Sequence, residues 1–181
     1  MNDRINGFQR DDLERLKNEL NANPDNGNFK LRAKNRWIDG TQSLSLVSSF
    51  YGMRREFSTR STPFIQTTDA PTVLLGKDLG PTPMEELLVA LAASVTMTLS
   101  YRAAVAGIAI EEIECEVEGD MEIQSIVDPA ISGEKGFEMI RVMVRVKSTA
   151  SEERLADLCT SSPVLESLKR PTPVSISVKK E

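Results

Sequence analysis

Residues 80–107 read GPTPMEELLVALAASVTMTLSYRAAVAG, and this stretch decides the fold. Thr82, Pro83 and Glu85 spell a capping box. The threonine oxygen serves the N–H three residues on, the glutamate returns to the threonine N–H, and proline occupies the first helical position, where its missing N–H costs nothing. Gly107 supplies the left-handed terminator. The spacing predicts a helix over residues 83–106. Leu87, Leu88, Val89, Leu91, Val95, Met97, Leu99 and Val105 lie all round it. A helix apolar on every side is covered on every side, here by a sheet, by a second subunit, or by both. Its uncharged run, residues 87–101, has 15 residues and carries Ser94, Thr96, Thr98 and Ser100. That is short of the ~20 apolar residues of a membrane span.

Downstream, Ile113, Cys115, Val117, Gly119 and Met121 alternate with Glu112, Glu114, Glu116, Glu118 and Asp120. Ile140, Val142, Val144 and Val146 then alternate with Arg141, Met143, Arg145 and Lys147. These are strands by their period of two, and paired antiparallel they would set an acidic row against a basic one. Carboxylates spaced along one strand face do not converge on a point, so the row reads as a solvated face and no metal site is expected. A helix over residues 151–160, broken by Pro163, is followed by a short one over residues 163–168 with Ser162 as N-cap. Val174, Ile176 and Val178 form an expected closing strand.

Upstream, Phe29, Leu31 and Ala33 alternate with Lys30, Arg32 and Lys34, and Asp39-Gly40 signals a hairpin returning over residues 42–50. Residues 56–67 are a further candidate strand, and residues 68–83 are loop. Residues 1–28 read as an appendage separate from a domain over residues 29–181. In it Phe8, Leu13, Leu16 and Leu20 stripe one helix face, Arg15 pairs with Glu19 on the other, and NANPDNGN ends the helix.

The chain has 181 residues, a net charge of -5, two cysteines and no histidine. The acidic balance argues against nucleic acid and anionic membrane as partners. Without histidine, the usual general base, the commonest transition-metal ligand and every Ser-His or Cys-His pair are missing. The polar, acidic N-terminus shows no apolar signal region, so a cytoplasmic protein is expected. No cofactor is expected.

Two motifs carry a resemblance. The first is Gly80-Pro81-Thr82-Pro83-Met84-Glu85-Glu86-Leu87-Leu88, running on through Ala90, Ala92, Ala93, Ser94, Met97 and Leu99. The second is Ser161-Ser162-Pro163-Val164 with Leu165 and Leu168, before a terminal Val-x-Ile-x-Val pattern. With Asn35-Arg36-Trp37 at the first hairpin, they make residues 29–180 similar to the OsmC/Ohr family of osmotically induced and organic-hydroperoxide-resistance proteins. The resemblance implies an α+β fold, two antiparallel sheets packed around long central helices in an intertwined homodimer, with a site at the subunit interface. It also implies a peroxiredoxin-like stress-response activity. A cysteine on the central helix attacks the peroxide, a second one heading a Cys-Pro-Val segment resolves it as a disulfide, and a Glu and an Arg activate the first thiolate.

Carried onto this chain, the attacking position is Ser94, the resolving position Ser162 and the glutamate Glu85. Arg54, Arg55 and Arg60 are the candidates for the arginine. Thiol chemistry depends on an accessible thiolate and its oxidation to sulfenic acid, which a hydroxyl cannot supply. Ser94 is then either a helix residue bonded to its own backbone or a ligand-contacting hydroxyl, Ser162 an N-cap, and Glu85 a cap as well as a family match. Ser94, Glu85, Met97 and Ser162 are the candidate binding residues for a small apolar ligand. The expected function is a homodimer that keeps the pocket and lacks thiol peroxidase activity. The alternative is a hydroperoxide reductase using Cys159, three residues before Ser162, as a relocated thiol. Cys115 alternates with core residues and reads as structural.

Overall fold

A computed structural model describes residues 3–58, 60, 62–128, 130, 131, 136–170 and 172–180. The fold is α+β, with short antiparallel sheets and one long helix, and the chain divides into two compact units.

The first unit contains residues 8–87. Helix α1 (Arg10–Ala22) buries Leu13 and ends at Asn23, whose side chain caps a 3-10 turn over Pro24–Gly27. Arg15 closes on Asp12 at 2.8 Å, not on the expected Glu19, one turn further on. After the hairpin strands β1 (Arg4–Ile5) and β2 (Phe8–Gln9), strands β3 (Lys34–Asp39), β4 (Gln42–Val47) and β7 (Phe64–Thr68) form an antiparallel sheet in the order β3-β4-β7. The β3–β4 turn is the expected one, with Gly40 at φ +52°. Strand β5 (Phe50–Gly52) pairs with β6 (Arg55–Phe57), stacking the rings of Phe50 and Phe57 at 4.8 Å.

The expected strand on Phe29, Leu31 and Ala33 is not formed. Lys30 makes a single bridge to Tyr51, and the strand begins only at Lys34, where a partner edge exists. The expected strand 56–67 is split, β6 ending at Phe57 and β7 starting at Phe64, with Thr59 and Ser61 outside the described residues.

The loop before the long helix is organised by one buried carboxylate. Asp69 accepts hydrogen bonds from Thr41 Oγ1 (2.6 Å) and from the backbone N–H groups of Ala70 (2.8 Å), Lys77 (3.0 Å) and Leu79 (3.3 Å). These bonds, the threonine's first, hold its pKa below the usual range. Gly76 is required where the loop doubles back, since a Cβ there would lie 1.8 Å from the carbonyl oxygen of Ala70.

Helix α2 (Pro83–Val105) matches the expected central helix, and Gly107 follows it at φ +74°. It starts in the first unit and continues into the second, which contains residues 88–181 and 5–7. There Leu99 and Ala103 pack with Leu155 and Leu158 of α4 (Glu152–Cys159), flanked by Ile113, Val144 and Val146. Leu99 is 0% exposed. Strands β8 (Ile110–Met121) and β9 (Phe137–Ser148) pair antiparallel, with a short α3 (Gln124–Val127) after β8. The expected charge complementarity is present on their outer face. Arg141 bonds Glu118 and Asp120, Arg145 bonds Glu114 and Glu116, and Lys147 meets Glu111.

Asn6, at φ +49° in the turn after β1, clasps the start of β8: its amide donates to Ile108 O (3.0 Å) and its oxygen accepts from Ile110 N (2.8 Å). Helix α5 (Pro163–Lys169) has the expected Ser162 cap. Residues 172–180 contradict the expected closing strand: they pair with no strand among the described residues, and Val174, Ile176 and Val178 are exposed. A strand exists only where its N–H and C=O groups find an edge, and residues 172–180 are docked on none among the described residues.

Cover on α2 is one-sided. Leu91, Val95 and Leu99 are buried, whereas Val89, Met97 and Val105 stand exposed along the opposite stripe. At 23 residues, α2 is long and apolar enough to cross a membrane by length and composition, more than its charge-free core suggests. Its buried Ser94 and Thr98 and its packing on α4 give it the character of a core helix.

Candidate functional site

Glu85 and its neighbours belong to the first turn of α2. Thr82 donates to Glu85 Oε2 through its backbone N (2.7 Å) and through Oγ1 (2.8 Å), and Glu85 N donates back to Thr82 Oγ1 (3.2 Å). The predicted capping box is complete. The backbone bond, then the hydroxyl, hold the Glu85 carboxyl below the usual carboxylate range, so both serve the helix end. The adjacent Glu86 takes a different direction: it accepts from Gln66 Nε2 at 2.6 Å and lines a cavity of about 720 Å³ with Asn35, Ser43, Ser45, Phe64 and Arg60.

The candidate arginines lie in this first unit. Arg54 occupies the β5–β6 turn at φ +60°, Arg55 stacks over Phe57 at 4.6 Å, and Arg60 lies over Phe50 (5.3 Å) and Phe64 (4.9 Å). Arg60 reaches a cavity that also holds a glutamate, Glu86.

In the second unit the two candidate serines meet at one helix start. Ser162 is 0% exposed and caps α5, its Oγ accepting from Leu165 N at 3.3 Å. Ser94 is 6% exposed, and its Oγ accepts from Val164 N at 3.3 Å, a residue 70 positions away in sequence. Pro163 has no N–H. The first turn of α5 therefore has its next two N–H groups taken by the two serine oxygens, satisfying donors that helix geometry leaves orphaned. Both hydroxyls are bound as acceptors, and no histidine exists to activate either.

Sequence reasoning missed Arg102. Its guanidinium donates to Ser161 Oγ at 3.0 Å, beside the Ser162 cap. The signal was present: Ser94, Thr98 and Arg102 are spaced four apart on one helix face. Met97 sits elsewhere, 52% exposed on the open stripe of α2.

The thiols are in this unit too. Cys115 faces inward from β8; burial pushes its pKa up, against a smaller lowering by a hydrogen bond with Thr96. Cys159, at the end of α4, lines a cavity of about 490 Å³ with Val144, Val146, Leu155 and Ala156. Burial first, and the nearness of Cys115 second, push its pKa up as well. A nucleophilic cysteine needs the opposite shift. Among the described residues, no three His, Cys, Asp or Glu side chains gather where they could hold a metal ion.

Among curated proteins, none matches by sequence. Among solved structures, an OsmC-like protein from Mycoplasma pneumoniae is similar over 77% of this chain and 87% of its own, at 19% identity and a TM-score of 0.58. A protein from Psychrobacter arcticus 273-4, described as osmotic stress induced and of the detoxification response, is similar over 75% and 85%, at 16% identity and a TM-score of 0.56. These identities establish likeness of fold alone. Residues 76–177, more than half the chain, match the family described as OsmC-like protein, and so the chain belongs to that family.

Proposed function

We propose that this chain is a cytoplasmic, homodimeric stress-related protein that binds a small apolar ligand beside its central helix and does not turn over hydroperoxides by thiol chemistry. One observation carries the reading. Ser94 and Ser162, which stand where the resemblance puts the attacking and resolving thiols, are both buried and both bound to helix N–H groups. Two oxygens in those places keep the packing of the junction and remove its redox capacity. The first unit has a cavity lined by Glu86 and Arg60, while Glu85, the family-matched glutamate, is held in the helix cap.

A second copy accounts for what one chain leaves open. Val89, Met97 and Val105 stand exposed on a helix whose other face is core, and residues 172–180 carry a strand pattern that pairs with no strand among the described residues. Residues 1–28 are proposed as an element added to the family domain of residues 29–181.

The test is hydroperoxide consumption by the full chain with a dithiol reductant, alongside Cys159→Ser. Neither protein is expected to exceed the protein-free rate. Turnover that disappears in Cys159→Ser would transfer the chemistry to that thiol and overturn the binding reading. Light scattering on the intact chain is expected to give twice the chain mass, and Met97→Glu to shift it toward monomer.

A further inference from the structure

One face of the β3-β4-β7 sheet is polar and lines the cavity of the first unit. The register sets Asn35 beside Ser45, Ser45 beside Gln66, and Ser43 beside Thr68, so these side chains share that face. Hydrogen bonds fix the row. The Asn35 amide donates to Ser43 Oγ (2.8 Å) and Ser45 Oγ (2.9 Å), and Ser43 and the buried Thr68 join through their hydroxyls at 2.8 Å. The row ends at Gln66, whose Nε2 donates to Glu86 at 2.6 Å. Arg60 lines the same cavity, its guanidinium lying over the rings of Phe50 and Phe64.

Two opposite charges therefore share a cavity of about 720 Å³ without pairing. Among the described residues Arg60 meets no carboxylate and Glu86 no cation. The outer face of β8–β9 is built differently, since Arg141 and Arg145 there each close on carboxylates across the strands. An unpaired guanidinium and an unpaired carboxylate in one hollow are complementary to a molecule that carries both charges. We propose that this cavity binds a zwitterionic amino acid with an apolar side chain, its carboxylate on Arg60 and its ammonium on Glu86. Gln66 and Asn35 present amide oxygens as further acceptors, and Ser45 a hydroxyl proton. Val47 and Phe64, opposite each other in register, supply the apolar wall. The volume lies within the ~300–1,000 Å³ of small-molecule sites.

This site is separate from the one proposed at Ser94 and Ser162, which belong to the second unit. It also does not use the glutamate that matches the family. Glu85 is held in the helix cap by Thr82, whereas Glu86 meets Gln66. Adjacent helical residues point about 100° apart, so one carboxylate serves the cap and the next serves the cavity.

The experiment is calorimetric titration of the full chain with L-phenylalanine and with its two half-molecules. One is 3-phenylpropanoate, which lacks the ammonium, and the other 2-phenylethylamine, which lacks the carboxylate. L-phenylalanine is expected to bind saturably, and each half-molecule about tenfold more weakly, since each leaves one charged partner without a contact. Arg60→Gln should erase the advantage of L-phenylalanine over 2-phenylethylamine and keep its advantage over 3-phenylpropanoate. Glu86→Gln should do the reverse, so the preference that persists shows that each variant is folded. Should a variant fail to fold, the three wild-type titrations decide alone. No saturable binding of L-phenylalanine at millimolar concentration would overturn the proposal. So would half-molecules that bind as tightly as the whole, or folded variants that keep both preferences. None of these outcomes bears on hydroperoxide turnover or on chain mass in solution, which test the proposed function separately.

Discussion

The second unit contains two pairs of small polar side chains, and they are built in opposite ways. Ser94 and Ser162 face the start of α5, where each oxygen takes a backbone N–H that helix geometry would otherwise leave bare. Cys115 and Cys159 face the layer between β8 and α4, among valines and leucines, where burial keeps them protonated. An oxygen is a strong acceptor and a sulfur a weak one, so each atom occupies the place its chemistry suits. The difference teaches that the strong acceptors stand at orphaned helix donors and the weak ones in the apolar layer. The serine oxygens serve hydrogen bonding, and the cysteine sulfurs are sheltered as protonated thiols.

The sharpest way to break that comparison is to exchange the atoms. The double variant Ser94→Cys with Ser162→Cys is expected to consume organic hydroperoxide well above the wild-type level, because both sulfurs then stand one on each side of the α5 start. Its stability should fall at the same time, since two weak acceptors replace two strong ones. Hydroperoxide consumption with a dithiol reductant reads the first effect and thermal melting the second. A well-folded double variant with no activity would show that the surrounding groups cannot activate a thiol there, and the resemblance at these positions would lose its chemical content.

How much of this was legible beforehand depends on range along the chain. The Thr82–Glu85 box, Gly107 and the Ser162 cap are contacts within one turn, so the residues that make them sit side by side in the sequence. The β8–β9 charge ladder was legible because period-two alternation fixes which side chains share a face. Long-range partners left no local mark. Nothing near Ser94 announces Val164, and nothing near Asn6 announces Ile108 and Ile110. Asp69 looked like an ordinary loop residue until four donors were seen to converge on it. Alternation alone also overpredicted strands at residues 29–33 and 172–180, because a pattern specifies faces and an edge must still be supplied by something else.

A smaller perturbation separates the two serines from each other. Ser162→Ala removes an N-cap and leaves the Leu165 N–H bare, which should cost about 1–2 kcal/mol. Ser94→Ala should cost about 1–3 kcal/mol by leaving the Val164 N–H buried without an acceptor. The two N–H groups are adjacent in one helix turn, so the double variant should cost less than the sum, once that turn has frayed. Urea denaturation of the four proteins in the cycle measures this coupling. Strict additivity would mean that the serines act on α5 independently and that the junction is not one structural unit.

The mildest test uses pH, because serines do not titrate and cysteines do. Burial raises both thiol pKa values above the ordinary 9.0. The folded state therefore holds its thiol protons to higher pH than the unfolded chain does. Their contribution is fully present below the unfolded pKa and is lost as pH rises through the folded one. The acid limb has the opposite sign: Glu116 and Asp120, lowered by hydrogen bonds from Arg145 and Arg141, stabilise the fold above the unfolded carboxylate pKa and cease to as pH falls. Melting temperature against pH is thus expected to decline on both sides, with Cys115→Ala and Cys159→Ala flattening only the alkaline side. Alkaline decline of equal steepness in those variants would place its origin outside the thiol layer, and the contrast between the two pairs would reduce to hydrogen bonding alone.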